Sequence, residues 1–220
     1  MKTKAVIFDL DGTLYSYDDC NAIAEKKLLD SISSSFGIPF TDASLLISNA
    51  KASVKENLGN TASSHNRLLY MQKVCEFQGK SVFSYAKRFY DTYWDTMLEN
   101  MCLFSWVIPV FDELTRRNIS IHIITDLTAA IQYRKIERLG IEGYISTFTT
   151  SEEAGEEKPS KKIFDVALSK IQAPKDSILI IGDDEKRDIM GAMNFGIRTL
   201  HYQEGMGEED ILNTIYSENN

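Results

Sequence analysis

The chain has 220 residues, 43% of them hydrophobic and 25% charged, an ordinary globular composition that fits one large domain or a core domain with an insertion. Its formal net charge of -8 argues against a polyanion-binding surface, so neither nucleic acid nor a membrane surface is an expected partner. Three scattered cysteines (Cys20, Cys75 and Cys102) suggest neither a disulfide framework nor a zinc site. The first apolar run also breaks too early for a signal-peptide core, so the expected location is the cytoplasm.

In chain order, the first element is AVIF, residues 5–8, which is apolar and partly β-branched and reads as a short buried strand. It stops at Asp9-Leu10-Asp11-Gly12-Thr13. Two carboxylates so close repel one another unless a cation offsets them or a reaction needs one charged and the other protonated. From about Asp18 to Met101 the pattern is helical. NAIAEKKLLDSISSSFG ends at Gly37, SHNRLLYMQKVCEFQG runs from a serine cap to Gly79, and SVFSYAKRFYDTYWDTMLENM follows. His65 and Arg67 open the second of these. They read as a capped, solvated helix start, with contact to a polar or anionic substrate as the functional alternative. Phe83, Tyr85, Phe89, Tyr90, Tyr93 and Trp94 read as bundle core.

After about Phe104 strands and helices alternate. VIPVFDELTRRN is a helix with Pro109 in its first turn, ISIHIIT a strand and AAIQYRKIERLG a helix ended by Gly140. YISTFTT is a strand, SKKIFDVALSKI a helix, SILIIG a strand, EKRDIMGAMNFG a helix and IRTLHY a last strand. The expected fold is therefore α/β, with a Rossmann-like parallel sheet and helices on both faces. Residues 1–15 and 105–220 would form this core, and an all-α insertion over 16–104 would interrupt it.

Ligands of open parallel sheets bind at the carboxyl ends of the strands. The residues expected there are Asp9, Asp11, Gly12 and Thr13, then Thr125 and Asp126, then Asp183, Asp184 and Asp188, with Lys158 in a loop. Such carboxylates suit Mg²⁺, which needs one or two of them plus waters and a phosphate. A lysine and a threonine hydroxyl add donors for phosphoryl oxygens. One aspartate can act as nucleophile while the other moves protons. Structural alternatives exist for several of these residues: a helix dipole favours acids such as Asp188 at its start, Lys158 sits among solvated lysines, and Thr125 can cap a helix. His122, alternating within its strand, reads as structural.

These residues carry a resemblance. Asp9-Leu10-Asp11-Gly12-Thr13-Leu14, Thr125 closing IHIIT, Lys158 in EKPSKKIF, and Asp183 and Asp188 in GDDEKRDIMGA resemble, in order, the four motifs of the haloacid dehalogenase (HAD) superfamily in its phosphatase form. The resemblance covers residues 1–15 and about 105–202, and the insertion resembles the C1 cap of subfamily I. It implies Asp9 as nucleophile, Asp11 as general acid/base, and Thr125 and Lys158 on the phosphate. It also implies Mg²⁺ held by Asp9, the Asp11 carbonyl, Asp183 and Asp188. The implied activity is a Mg²⁺-dependent phosphatase acting through an aspartyl-phosphate on a small phosphorylated metabolite, such as a sugar phosphate or nucleotide. Within the insertion, His65 and Arg67 are the candidate substrate contacts by their place at a helix start. Two positions depart from the commonest family pattern: Asp126 and Arg187 stand where asparagine is frequent. The alternatives are a phosphomutase with the same motifs and a non-catalytic phosphometabolite-binding module. A 2-haloacid dehalogenase is disfavoured, since that chemistry needs neither Asp11 nor the Asp183/Asp188 pair.

Overall fold

The computed structural model describes residues 2–217. The chain forms two compact units: one runs to Ser16 and resumes at Cys102, and the other is Tyr17–Met101. In the first unit β1 (Ala5–Phe8) is the centre of a parallel sheet with β2 (Ser120–Thr125), β3 (Ile145–Thr150), β4 (Ile178–Gly182) and β5 (Arg198–His201), in the order β3-β2-β1-β4-β5. All four residues of β1 are buried, as a strand covered on both faces requires. The chain builds the sheet outward from β1 through β2 and β3, then returns to its other side with β4. Phe8 is in register with Ile123 and Ile181, so Asp9 leaves the sheet beside the last residues of β2 and β4. The reversal of strand order between β1 and β4 opens the crevice in which such sheets bind ligands.

Alternation along β1 sends successive side chains to opposite faces. Ala5 and Ile7 join Ile124, Ile178 and Ile180 in a core closed by Ile163, Phe164 and Ala167. Phe8 points the other way, its ring 5.1 Å from that of Phe111 and 6.2 Å from that of Trp106.

The unit Tyr17–Met101 contains α1 (Tyr17–Phe36), α2 (Phe40–Leu58), α3 (Arg67–Phe77) and α4 (Val82–Glu99). Its core draws on Leu28, Ile32, Leu46, Val54, Met71, Val74, Phe89, Tyr93, Trp94 and Met97, all buried. Two expectations are corrected here. Ala62–His65 is a 3₁₀ turn, and α3 begins at Arg67 with Asn66 as its cap, accepting from Leu68 N–H at 2.9 Å. Phe83 lies wholly exposed in the first turn of α4 and is no part of the core.

The helices of the first unit are α5 (Val107–Arg116), α6 (Ala129–Leu139), α7 (Ser151–Ala154), α8 (Lys161–Ser169), α9 (Gly191–Met193) and α10 (Glu208–Tyr216). The expected helix after β4 is a π-helix, Glu185–Met190, running into α9. Among the described residues, no helix is long and apolar enough to cross a membrane.

Candidate active site

The loop after β1 turns at once, with Leu14 N–H on the Leu10 carbonyl at 3.1 Å, and Gly12 takes φ +92°. A Cβ at Gly12 would collide with the Asp183 carboxylate, and one at Gly182 with that of Asp188. The two glycines therefore let the acids close on the strand ends. One carboxylate oxygen from each of Asp9, Asp183 and Asp188 lies within 4.8 Å of the others. Asp9 and Asp188 are buried, and Asp183 is partly so.

Lys158 links the cluster. Its buried ammonium donates to Asp9 Oδ1 and, at 2.7 Å, to Asp188 Oδ1. Thr13 Oγ1 accepts the Asp183 N–H at 3.1 Å and donates to Asp183 Oδ1 at 2.9 Å, with Asp9 Oδ2 3.2 Å away. Asp188 reaches the site through the wide π turn. Its Oδ2 accepts the Asp184 N–H at 3.1 Å, while the Asp184 carboxylate caps Lys186 and Arg187 at 2.9 and 2.8 Å.

Three carboxylates against one ammonium leave two negative charges in a largely enclosed space. Burial pushes the pKa of Asp9 well above its ordinary value against the pull of Lys158, with Asp188, Asp11 and Asp183 adding to the rise. Burial likewise raises Asp183. For Lys158 burial works downward, but Asp188, Asp9 and Asp126 outweigh it and hold the ammonium charged. Carboxylate oxygens are hard donors, and the two uncompensated charges match a divalent cation, so the residues present fit Mg²⁺.

Asp11 is served separately. Burial raises its pKa, but the Lys135 ammonium, 2.6 Å from Oδ1, and hydrogen bonds from Lys135, Tyr15 and Gln132 together outweigh that and lower it. Thr125 is buried at the end of β2, within reach of the Gln132 amide. The two departures at Asp126 and Arg187 meet. Asp126 Oδ2 lies 3.5 Å from Arg187 Nη1, and its Oδ1 accepts the Lys158 N–H at 2.9 Å, tying the β2 loop to the lysine loop. Leu127, at φ +95°, is held there by its N–H on Ser151 Oγ at 2.9 Å.

The structure thus brings Asp9, Asp11, Thr125, Lys158, Asp183 and Asp188 to neighbouring strand ends. His65 and Arg67 lie in the other unit, and Arg67 is not a solvated surface residue. Its guanidinium stacks over the Tyr93 and Trp94 rings, 4.2 and 4.8 Å from their centroids, and donates to Tyr17 Oη at 2.7 Å. Sequence reasoning missed Gln132 and Lys135. The available signal was two polar residues in the 132-135-136-139 stripe that α6 turns inward with Ile136 and Leu139.

The sequence matches the family of haloacid dehalogenase-like hydrolases over residues 6–202. It is 35% identical over 199 residues to the ribulose-1,5-bisphosphate 5-phosphatase of Halopiger xanaduensis, covering 89% of this chain and 83% of that one. It is 29% identical over 205 residues to the glyceraldehyde 3-phosphate phosphatase of Methanopyrus kandleri, covering 92% and 84%. The crystal structure of the HAD-hydrolase YfnB from Bacillus subtilis bound to magnesium has the same fold, with a TM-score of 0.70 at 19% identity over 94% of this chain and 92% of that one.

Proposed function

The chain belongs to the haloacid dehalogenase-like hydrolase family and is a phosphoric monoester hydrolase; from that premise we propose that it dephosphorylates a small metabolite with Mg²⁺, through an aspartyl-phosphate on Asp9. The observation that carries this reading is the charge arrangement at the strand ends. Asp9 and Asp188 share the Lys158 ammonium with the Asp183 carboxylate beside them, while Asp11 has a cation of its own in Lys135.

In the first half-reaction a carboxylate oxygen of Asp9 attacks phosphorus, the bond to the ester oxygen breaks, and Asp11, which must enter this step protonated against the pull of Lys135, gives that oxygen a proton. In the second, water attacks the phosphorus of the acyl phosphate and Asp11 takes its proton. The phosphorus–oxygen bond to Asp9 then breaks, releasing phosphate and restoring both carboxyl groups. Lys158 and Thr125 are the assigned donors to the phosphoryl oxygens. Asp9, the Asp11 carbonyl, Asp183 and Asp188 would hold Mg²⁺, which when bound neutralises phosphate charge that would otherwise repel Asp9.

The two relatives are named for a sugar bisphosphate and a triose phosphate, which ranks a phosphorylated sugar first among substrate classes. The insertion over 16–104 is assigned the role of a C1-type cap selecting the leaving group, with His65 and Arg67 as candidate contacts. The three cysteines, none of them in a disulfide, suit a reducing cytoplasm.

The test is phosphate release from p-nitrophenyl phosphate and a panel of sugar phosphates, with Mg²⁺ and with excess chelator. Release is expected to require Mg²⁺, and Ca²⁺ to substitute poorly because its looser coordination misplaces the attacking carboxylate. Undiminished turnover in chelator would overturn the metal-assisted mechanism, and an isomerised sugar phosphate without free phosphate would favour the phosphomutase.

A further inference from the structure

We propose that Lys135 and Gln132, two polar side chains buried on α6, act with Tyr15 as a three-donor clamp on the Asp11 carboxylate and are positioning residues for its proton transfers. This rests on the reading of Asp11 as acid/base. Lys135, Gln132 and Tyr15 are all fully enclosed. Lys135 Nζ and the Tyr15 hydroxyl both donate to Asp11 Oδ1, and Gln132 Nε2 donates to Oδ2 at 2.9 Å. The same Gln132 amide nitrogen reaches Thr125 Oγ1 and, at 2.9 Å, the Asp126 carbonyl, which fixes the clamp to the end of β2.

Stability alone does not account for this arrangement. A lysine taken wholly out of water loses hydration that buried ion pairs seldom return in full, and apolar residues of similar volume are often as stabilising or more so. A methionine or leucine at 135 would continue the stripe of Ile136 and Leu139. What three donors on two oxygens achieve is orientation: they fix both ends of the carboxylate and hence its plane. The Asp11 side chain is nonetheless 23% exposed, so one side of it stays open. A group that moves a proton must sit within hydrogen-bond reach of the reacting oxygen in both half-reactions. Misplacement by about 1 Å can cost a rate on the order of a hundredfold. Lys158 and Lys135 therefore divide the labour, the first anchoring the Asp9 cluster and the second aiming Asp11.

The experiment measures phosphoenzyme formation by the full chain from two esters. Phenyl phosphate leaves as a basic phenoxide that needs a proton, whereas p-nitrophenyl phosphate leaves as a stable anion. Lys135→Met also lets the Asp11 pKa rise, which favours the acid, so an expected loss of roughly tenfold or more on the first ester, with less than about threefold on the second, reports lost orientation. Lys135→Arg, which keeps a cation, should recover part of the loss. Combined with Asp11→Asn, Lys135→Met should add nothing, because a clamp with no acid to aim has no effect. Gln132→Met keeps the ion pair and should show the same selective loss, which preserves the test if the Lys135 variant does not fold. Equal losses on both esters in a folded variant, or a double variant slower than Asp11→Asn alone, would overturn the clamp. Failure of the underlying reading looks different: Asp11→Asn would itself slow both esters equally.

Discussion

Asp9 and Asp11 are two residues apart, yet their surroundings push them in opposite directions. Burial and three neighbouring acids raise Asp9 against Lys158, while Lys135 and its companion donors hold Asp11 below the usual carboxylate range. Bound Mg²⁺ would favour the ionised, nucleophilic form of Asp9, while Asp11 must take up a proton against the pull of Lys135 before it can act as an acid. Asp9→Asn is accordingly expected to abolish both turnover and any trapped phosphoenzyme, with the fold intact by circular dichroism. Asp183→Asn keeps the nucleophile but removes one negative charge from the acidic cluster. The Mg²⁺ concentration for half-maximal phosphate release should then rise on the order of tenfold or more. An unchanged Mg²⁺ requirement would remove Asp183 from the metal set. The acids and Lys158 were legible in the sequence because they follow a strand or lie in a loop in motif order, with Asp188 one turn into the helix after β4. The pairing of Asp126 with Arg187 was not, because the two lie 61 positions apart and only the sheet brings them together.

The strands were legible as elements because apolar runs such as AVIF and SILIIG stop abruptly at acids or glycine, the pattern of buried parallel strands. Their order was not, since parallel alternation is compatible with several arrangements. Helix α3 shows another limit. Ser64 and Asn66 are both good caps by residue type, and the 3₁₀ turn Ala62–His65, which takes in Ser64, decides for Asn66. Helix α10 has an amphipathic pattern short enough to pass for a tail, and its role emerges only where the Tyr216 ring lies 3.9 Å from the Arg117 guanidinium carbon beside α5. Within β2, His122 is buried between Thr147 Oγ1 at 2.7 Å and Ser120 Oγ at 2.8 Å, and burial pushes its pKa down to about 4. An unfolded histidine titrates near 6.5. Between those values the unfolded chain binds the extra proton, so stability is fully present above about 6.5 and falls as pH drops toward 4. In urea unfolding at pH 7 and pH 5, wild type should lose more stability than His122→Gln. After discounting for solvent screening, the difference should be on the order of 1 kcal/mol. Equal losses would show that His122 does not carry the slope.

At the scale of the whole molecule, chemistry and helical packing are segregated. The unit containing the sheet holds the acidic cluster and both lysines that serve its carboxylates, whereas Tyr17–Met101 has its own aromatic core. Among the described residues that helical unit offers no cluster of three metal-ligating side chains. In the sequence the insertion over 16–104 shows as helical periodicity that begins within a few residues of Thr13 and ends before the next strand; the compact helical unit is Tyr17–Met101. Arg67's stacking was not legible, because Tyr93 and Trp94 lie on a different helix more than twenty residues on. This segregation predicts where metal alone will act. A ligand bound only by the folded state stabilises it by about 2.7 kcal/mol at a hundred times its dissociation constant. That stabilisation should appear in the elements that supply the ligands. In hydrogen exchange without substrate, Mg²⁺ is expected to slow exchange in peptides spanning β1, β4 and the π-helix. Peptides from α1 to α4 should exchange as before, because their opening breaks no metal contact. Asp183→Asn should weaken the effect on β1 and β4 at the same Mg²⁺ concentration. Equal slowing in α1–α4 by Mg²⁺ alone would mean that opening of the helical unit is coupled to the metal, and the assignment of chemistry to one unit and selection to the other would fail.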